Sequence, residues 1–285
     1  MTEHWEPLGI RYGWWEDEAP YEEIPDHLRT PLEEWATRYL GGEESRDRGY
    51  GGSTPQTPRA RNLAMIASRL RMSFFNVSSS RLAGSMVSVM DTQPHRFLEM
   101  IDLSLGITSG AGAGELEVIL HVAGSVWGVS DDHRRLERRV EEAERDAYEA
   151  AISPRDEAAE NLAESWRKVY GINPDPSDSW DHSIKAVEAM LWGRVVPKNP
   201  TATLGSIIKA LSDKPSNWTF RLTPSGPVGG VETLVNMLRL MWPNPDRHGS
   251  GTVRMPTQEE AEDVVRLAVL IVGWLRSNVL VKVVQ

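Results

Sequence analysis

Cysteine is absent from the 285-residue chain, which excludes a disulfide framework, a thiolate nucleophile and any Cys-ligated zinc or iron–sulfur centre. A metal would need His or carboxylate ligands, and His121, His133 and His182 read as surface or satisfied histidines rather than as a ligand set, so neither a metal nor a cofactor is expected. No apolar run approaches the length of a membrane span, and the opening MTEHWEPLGIRYGWWEDEAP has neither a basic n-region nor an apolar h-region. A cytoplasmic protein without a membrane partner is the expectation. Lysine does not occur before Lys168, and no acidic residue occurs between Arg48 and Met90. Long alternation of polar and apolar residues is also missing, so no sizeable sheet is expected and the fold class is read as all-α, a multi-helix bundle. The Gly-rich TSGAGAG around residues 108–114 lacks both the GxGxxG order and the Lys of a phosphate loop, which argues against a nucleotide loop there.

Charge is unevenly spread. The formal net charge is −10, and most of it comes from residues 1–47, where Glu and Asp far outnumber Arg11, Arg29, Arg38 and Arg46. The next stretch reverses sign with Arg48, Arg59, Arg61, Arg69, Arg71 and Arg81, interleaved with Tyr50, Phe74 and Phe75. Such a segment suits a nucleic-acid strand, but an acidic chain repels a polyanion, so pairing with the acidic N-terminal segment and with other helices is the preferred reading. Eleven Trp occur at no fixed period and read as packing residues.

Three regions are expected. Residues 1–60 form an acidic, aromatic-rich arm and linker ending in YGGSTPQTPRA, with Trp14 and Trp15 as candidate anchors for a protein partner. Residues 61–153 form an N-terminal helical region, with helical spacing at 61–75, 81–90, 94–105 and 115–126, and with 130–152 read as one long amphipathic helix capped by Ser130. Residues 154–285 form a C-terminal helical domain with further helices at 177–195, 203–213, 229–242 and 257–277, joined by Pro- and Asn-containing turns.

One short segment carries a chemical hint. Between the last two helices the chain reads Trp242-Pro243-Asn244-Pro245-Asp246-Arg247-His248-Gly249-Ser250-Gly251. The flanking helices present apolar faces through Val231, Leu234, Val235 and Leu238 and through Ala261, Val264, Val265, Ala268 and Ile271. They are expected to pack as an antiparallel pair that holds Asp246, Arg247 and His248 at one end of the bundle. There an imidazole titrating near neutral pH beside a guanidinium can serve as acid or base next to an anion clamp. Glu188 sits within the apolar stripe of helix 177–195 and needs a partner, for which Arg239, Arg247 and His248 are the candidates. The plainer account of the same residues is a Glu–Arg pair that ties two helices together with no chemistry.

The run SIKAVEAMLW, then TATLGSIIKAL, then a helix ending in an Arg–His turn with HGSG, then PTQEEAEDVVRLAVLIVGWL, resembles the C-terminal domain of abortive-infection-like proteins, part of the HEPN group of helical domains. The resemblance covers roughly residues 156–280. It implies a helical, often dimeric bundle whose active members cleave RNA without metal through an Arg placed shortly before a His. Here Arg239 stands nine positions before His248 and Arg247 is adjacent to it, and Pro243 and Pro245 interrupt any helix that would hold an Arg–His pair together.

Two functions are therefore carried forward. One is a bacterial defence or toxin-like protein, a homodimeric metal-independent endoribonuclease with His248 as acid/base and Arg247 or Arg239 as phosphate clamp. The other is a non-enzymatic helical interaction or regulatory protein with a degenerate site.

Overall fold

The computed structural model describes Tyr12 and residues 20–40, 58–71, 93–222, 229–246 and 254–283. These residues are mostly helical, with only two two-stranded sheets, as the all-α reading expects. The chain divides into two compact units, Met1–Arg139 and Val140–Gln285. Among the described residues no helix is long and apolar enough to cross a membrane.

In the first unit α1 (Asp26–Leu40), α2 (Pro58–Arg69), α3 (Pro94–Ile107) and α4 (Ala113–Val122) precede β1 (Trp127–Val129) and β2 (Leu136–Arg138). Leu28, Leu32 and Trp35 of α1 and Leu116 and Leu120 of α4 are fully buried. Trp35 Nε1 donates to Gly112 O at 2.9 Å, and the Tyr39 ring occupies the space a Cβ at Gly112 would need, at 2.6 Å and with φ +78°. Only glycine fits a left-handed residue so tightly covered. The stretch 81–90 lies outside the described residues.

The single long helix expected over 130–152 is not formed. Residues 127–138 make an antiparallel hairpin, and a helix begins only at Glu142. Local polar bonds decide this: Ser130 Oγ donates to Asp132 Oδ1, which also accepts from Arg134 N, and Asp102 Oδ1 takes the N–H of Leu136. Ser and Asp side chains that bond nearby backbone compete with helix, and His133 adopts φ +61° at the turn.

The second unit holds α5 (Glu142–Ile152), α6 (Glu157–Tyr170), α7 (Pro176–Val195), α8 (Leu204–Asp213), β3 (Trp218–Phe220), α9 (Gly230–Met241), α10 (Gln258–Arg276) and β4 (Leu280–Lys282), with β3 antiparallel to β4. One apolar core joins all six helices and both strands. α6 and α7 approach closely along Ser165, Ser179 and Ser183, all fully buried. Ser165 Oγ donates to Ser179 O at 2.8 Å and Ser179 Oγ to Ser165 O at 2.9 Å, so small side chains allow the approach and every buried hydroxyl has a partner.

Helix ends in this unit are closed by specific groups. Asp156 caps α6 through Ala159 N, Asp175 caps α7 through Asp178 N, and Thr257 with Glu260 forms a capping box on α10. At the C-terminal ends, Met241 O accepts from Trp180 Nε1, Leu275 O from Arg194 Nη1 and Ala151 O from Arg276 Nε, which satisfies carbonyls that a helix leaves open. The expected α9–α10 antiparallel pair is replaced by a different arrangement. α10 lies mainly against α5, α6 and α7, and α9 mainly against α8. α7 has buried apolar residues over nearly its whole length, Trp180, Ile184, Ala186, Val187 and Leu191, and so takes the central position.

Candidate functional site

The chain that leads into Arg247 and His248 is fixed on the first turns of α7. Trp180 Nε1 holds the last carbonyl of α9 at 2.7 Å. Three residues later the side chain of Asn244, 1% exposed, donates from Nδ2 to Ser177 O at 3.1 Å and to Asp181 Oδ1 at 3.0 Å. Its Oδ1 accepts from Asp246 N. Pro243 and Pro245 cannot donate backbone N–H groups, so Asn244 supplies the polar contacts that bind this turn. Ser177 Oγ donates to Asp246 Oδ2. The other oxygen, Asp246 Oδ1, is buried with no hydrogen-bond partner among the described residues. A carboxylate left with one unused buried oxygen is an acceptor waiting for a donor.

Arg247 and His248 lie outside the described residues, as do Trp5, Trp14 and Trp15 of the N-terminal arm and Arg48, Tyr50, Phe74, Phe75 and Arg81 of the arginine-rich stretch. Arg61, Arg69 and Arg71 of that stretch are exposed.

Glu188 forms no ion pair among the described residues. It belongs to α7, eleven residues and about 16 Å along the helix from Ser177, and its Oε1 accepts the backbone N–H of Leu204, the first residue of α8. Thr203, at the N-cap of α8, makes no side-chain cap, so Glu188 caps α8 from a neighbouring helix. Burial pushes its carboxyl above the ordinary range, opposed by the Leu204 hydrogen bond and by Lys185. Arg239 is exposed on α9 and donates to Asn236 Oδ1 at 3.0 Å and Ser212 Oγ at 3.4 Å. Among the described members of the expected constellation, Glu188 caps α8, Arg239 faces the end of α8 and Asp246 stands on the head of α7, so Glu188 and Arg239 do not pair.

The head of α7 is strongly acidic. Asp175, Asp178, Asp181 and Asp246 all belong to it, and the positive end of the helix dipole favours carboxylates there. Sequence reasoning missed Asn244, Ser177 and Asp181. The signals were present as an Asn flanked by two prolines and as a Ser and an Asp at i, i+4 on an amphipathic helix.

One group of side chains has the composition of a metal site, Glu164 of α6 with Asp178 and His182 of α7. Asn161 Nδ2 donates to Glu157 O, so its Oδ1 is the acceptor and His182 Nδ1 donates to it at 3.0 Å. His182 Nε2 then carries the lone pair, 3.7 Å from Asp178 Oδ1. Burial, with Lys185, holds the imidazole below its ordinary pKa. Each carboxylate already has its own cation, Arg167 on Glu164 and Lys168 on Asp178 at 2.7 Å. These contacts hold both carboxyls below their ordinary range. With Lys185 alongside, the group has no excess negative charge to draw a divalent ion. It is an inter-helix ion network, and the second potential ligand to His182 lies at i−4.

No family model, curated protein or solved structure matches this chain.

Proposed function

We propose that residues 154–285 form a HEPN-type helical domain of a defence or toxin-like protein that acts on RNA as a homodimer, with His248 as acid/base and Arg247 as the phosphate clamp. The observation that carries the reading is the Asn244 anchor, which fixes the chain immediately before the Arg–His pair to the head of a 20-residue helix. Catalytic pairs need such rigid delivery. Asp246, with one oxygen on Ser177 and the other without a partner among the described residues, is the carboxylate that would hold the imidazole tautomer. Cleavage then requires His248 to take the 2′-OH proton as that oxygen attacks the phosphorus and Arg247 to balance the charge of the phosphorane; the P–O5′ bond breaks to leave a 2′,3′-cyclic phosphate, and the departing 5′-oxygen takes a proton from the protonated His248 of the second protomer. Arg239 and Glu188 leave the catalytic set because of the contacts described above.

A second reading has its own support. Asp175, Asp181 and Asp246 on the head of α7 repel a phosphate, while Asp178 is paired with Lys168, and Glu188 and Asp246 both have structural roles, which favours a non-enzymatic helical interaction protein with the same fold. Incubation of the full-length protein with total RNA in a chelator, beside His248→Ala and with the oligomeric state measured on the same samples, separates the two. Cleavage by wild type and its loss in a folded His248→Ala supports the ribonuclease. Intact RNA with a folded wild-type dimer, or equal cleavage by both proteins, overturns it.

A further inference from the structure

The second unit contains a pocket of ≈ 610 Å³ between the end of α8, β3 and the first turns of α9. That volume is in the range of small-ligand sites, about 300–1,000 Å³. Its floor is apolar, built from Leu211, Phe220, Val231 and Val235, with the partly buried Trp218 as a wall. α9 starts this close to β3 because residue 230 is glycine. A Cβ there would lie 2.6 Å from Leu222 O and 3.2 Å from the Phe220 Cβ.

Two opposite charges flank the floor. Glu232, Val235 and Arg239 all line the pocket from α9, and Glu232 and Arg239 are seven residues apart, two turns or about 10 Å along the axis. Neither has an ion-pair partner among the described residues. Among the described residues Arg239 is held by the neutral Asn236 and Ser212 oxygens alone, which leaves most of its five donors without a partner there. An apolar slot with a fixed cation at one end and a carboxylate at the other fits an aromatic molecule with an anion at one end and a hydrogen-bond donor at the other.

We infer that this pocket binds a nucleoside monophosphate whose base carries an exocyclic amine. The phosphate meets Arg239 and the Ser212 hydroxyl, as guanidinium and phosphate geometry favours. The base stacks on Trp218 above the apolar floor, and its amine donates to Glu232, a carboxylate–amine pairing used in base recognition. The reverse orientation sets phosphate against Glu232, so the two charges also fix the direction of binding. The inference does not depend on whether Arg247 and His248 cleave RNA.

Calorimetric titration of the full-length protein with adenosine monophosphate, adenosine and inosine monophosphate tests the inference. Adenosine lacks the anion, and inosine monophosphate carries a carbonyl where the amine stands. Saturable binding of adenosine monophosphate is expected, with adenosine and inosine monophosphate each weaker by about tenfold or more. Arg239→Gln should reduce adenosine monophosphate to the level of adenosine, and Glu232→Ala should abolish the preference over inosine monophosphate. Both positions are exposed, so both variants are expected to keep the wild-type circular dichroism. Absence of saturable binding at millimolar ligand, equal binding of adenosine and its monophosphate, or unchanged affinity in a folded Arg239→Gln overturns the assignment.

Discussion

Glu188 separates a structural carboxylate from a catalytic one, and two substitutions do so with opposite outcomes. Its Oε1 is the acceptor for Leu204 N, and the N-cap residue Thr203 makes no side-chain cap there. Glu188→Ala leaves a backbone donor in a buried helix terminus without a partner, at a cost of about 1–3 kcal/mol. For a domain of this size each kcal/mol lowers the melting temperature by about 2–4 °C, so a fall of several degrees is expected. Glu188→Gln keeps an acceptor in place and removes the charge. A carboxylate at a helix N-terminus gains about 0.3–1 kcal/mol from the dipole, while burial penalises it. The raised carboxyl pKa shows that burial outweighs the favourable contacts, so the neutral amide is expected to be as stable as wild type, or more stable, at neutral pH. The pH dependence has a definite sign. A group whose folded-state pKa is raised contributes stability below its unfolded value, and that contribution is lost as pH rises through the folded value. Wild type relative to Glu188→Gln should therefore be strongest in acid and weaken from about pH 4.5 upward. Urea unfolding of both variants across this range, with RNA cleavage measured in parallel, provides the assay. Destabilisation by Gln equal to that by Ala, or a Gln variant that is stable but has lost cleavage, would refute the capping role.

Asp156 caps α6 and forms a bidentate pair with Arg276 at 2.8 and 2.9 Å; these bonds hold its carboxyl down to about 2. A depressed pKa stabilises the fold above the unfolded value and loses that contribution as pH falls toward 2. Asp156→Asn, which keeps the cap and removes the pair, should flatten the acid limb of a stability–pH curve. Because the side chain is 44% exposed, the change should be no more than about 1 kcal/mol, and an unaltered acid limb would dismiss the pair as a contributor. Gly205 lies under the Trp242 ring, where a Cβ would come within 2.7 Å of Nε1. Gly205→Ala gains up to about 1 kcal/mol in helix propensity but should lose about 1–3 kcal/mol to overpacking. A rise in melting temperature would show that Trp242 moves aside freely.

Much of the second unit was legible because its helices carry their own start and stop signals. Asp156, Asp175–Pro176 and Thr257–Glu260 mark N-termini by local bonding, and the apolar spacing from Ala158 to Val169 and from Ala261 to Leu275 follows one helical face. The stretch 130–152 was misread because the charged face of Glu142–Ile152 continues backwards in sequence through Arg134–Arg139. The Asp132 and Asp102 carboxylates that draw residues 130–136 into a hairpin act through bonds that periodicity does not register.

The site shows the same division. Sequence alone determined the helical class and the positions of α7, α8, α9 and α10, because these depend on interactions within a few residues. Tertiary structure alone decided that Glu188 caps α8, that Asn244 binds the turn to α7, that α10 packs on α7 rather than on α9, and that Glu232 and Arg239 face one apolar pocket. Each of those outcomes depends on which helix lies beside which, and the burial of long-range apolar faces fixes that only when the whole unit folds.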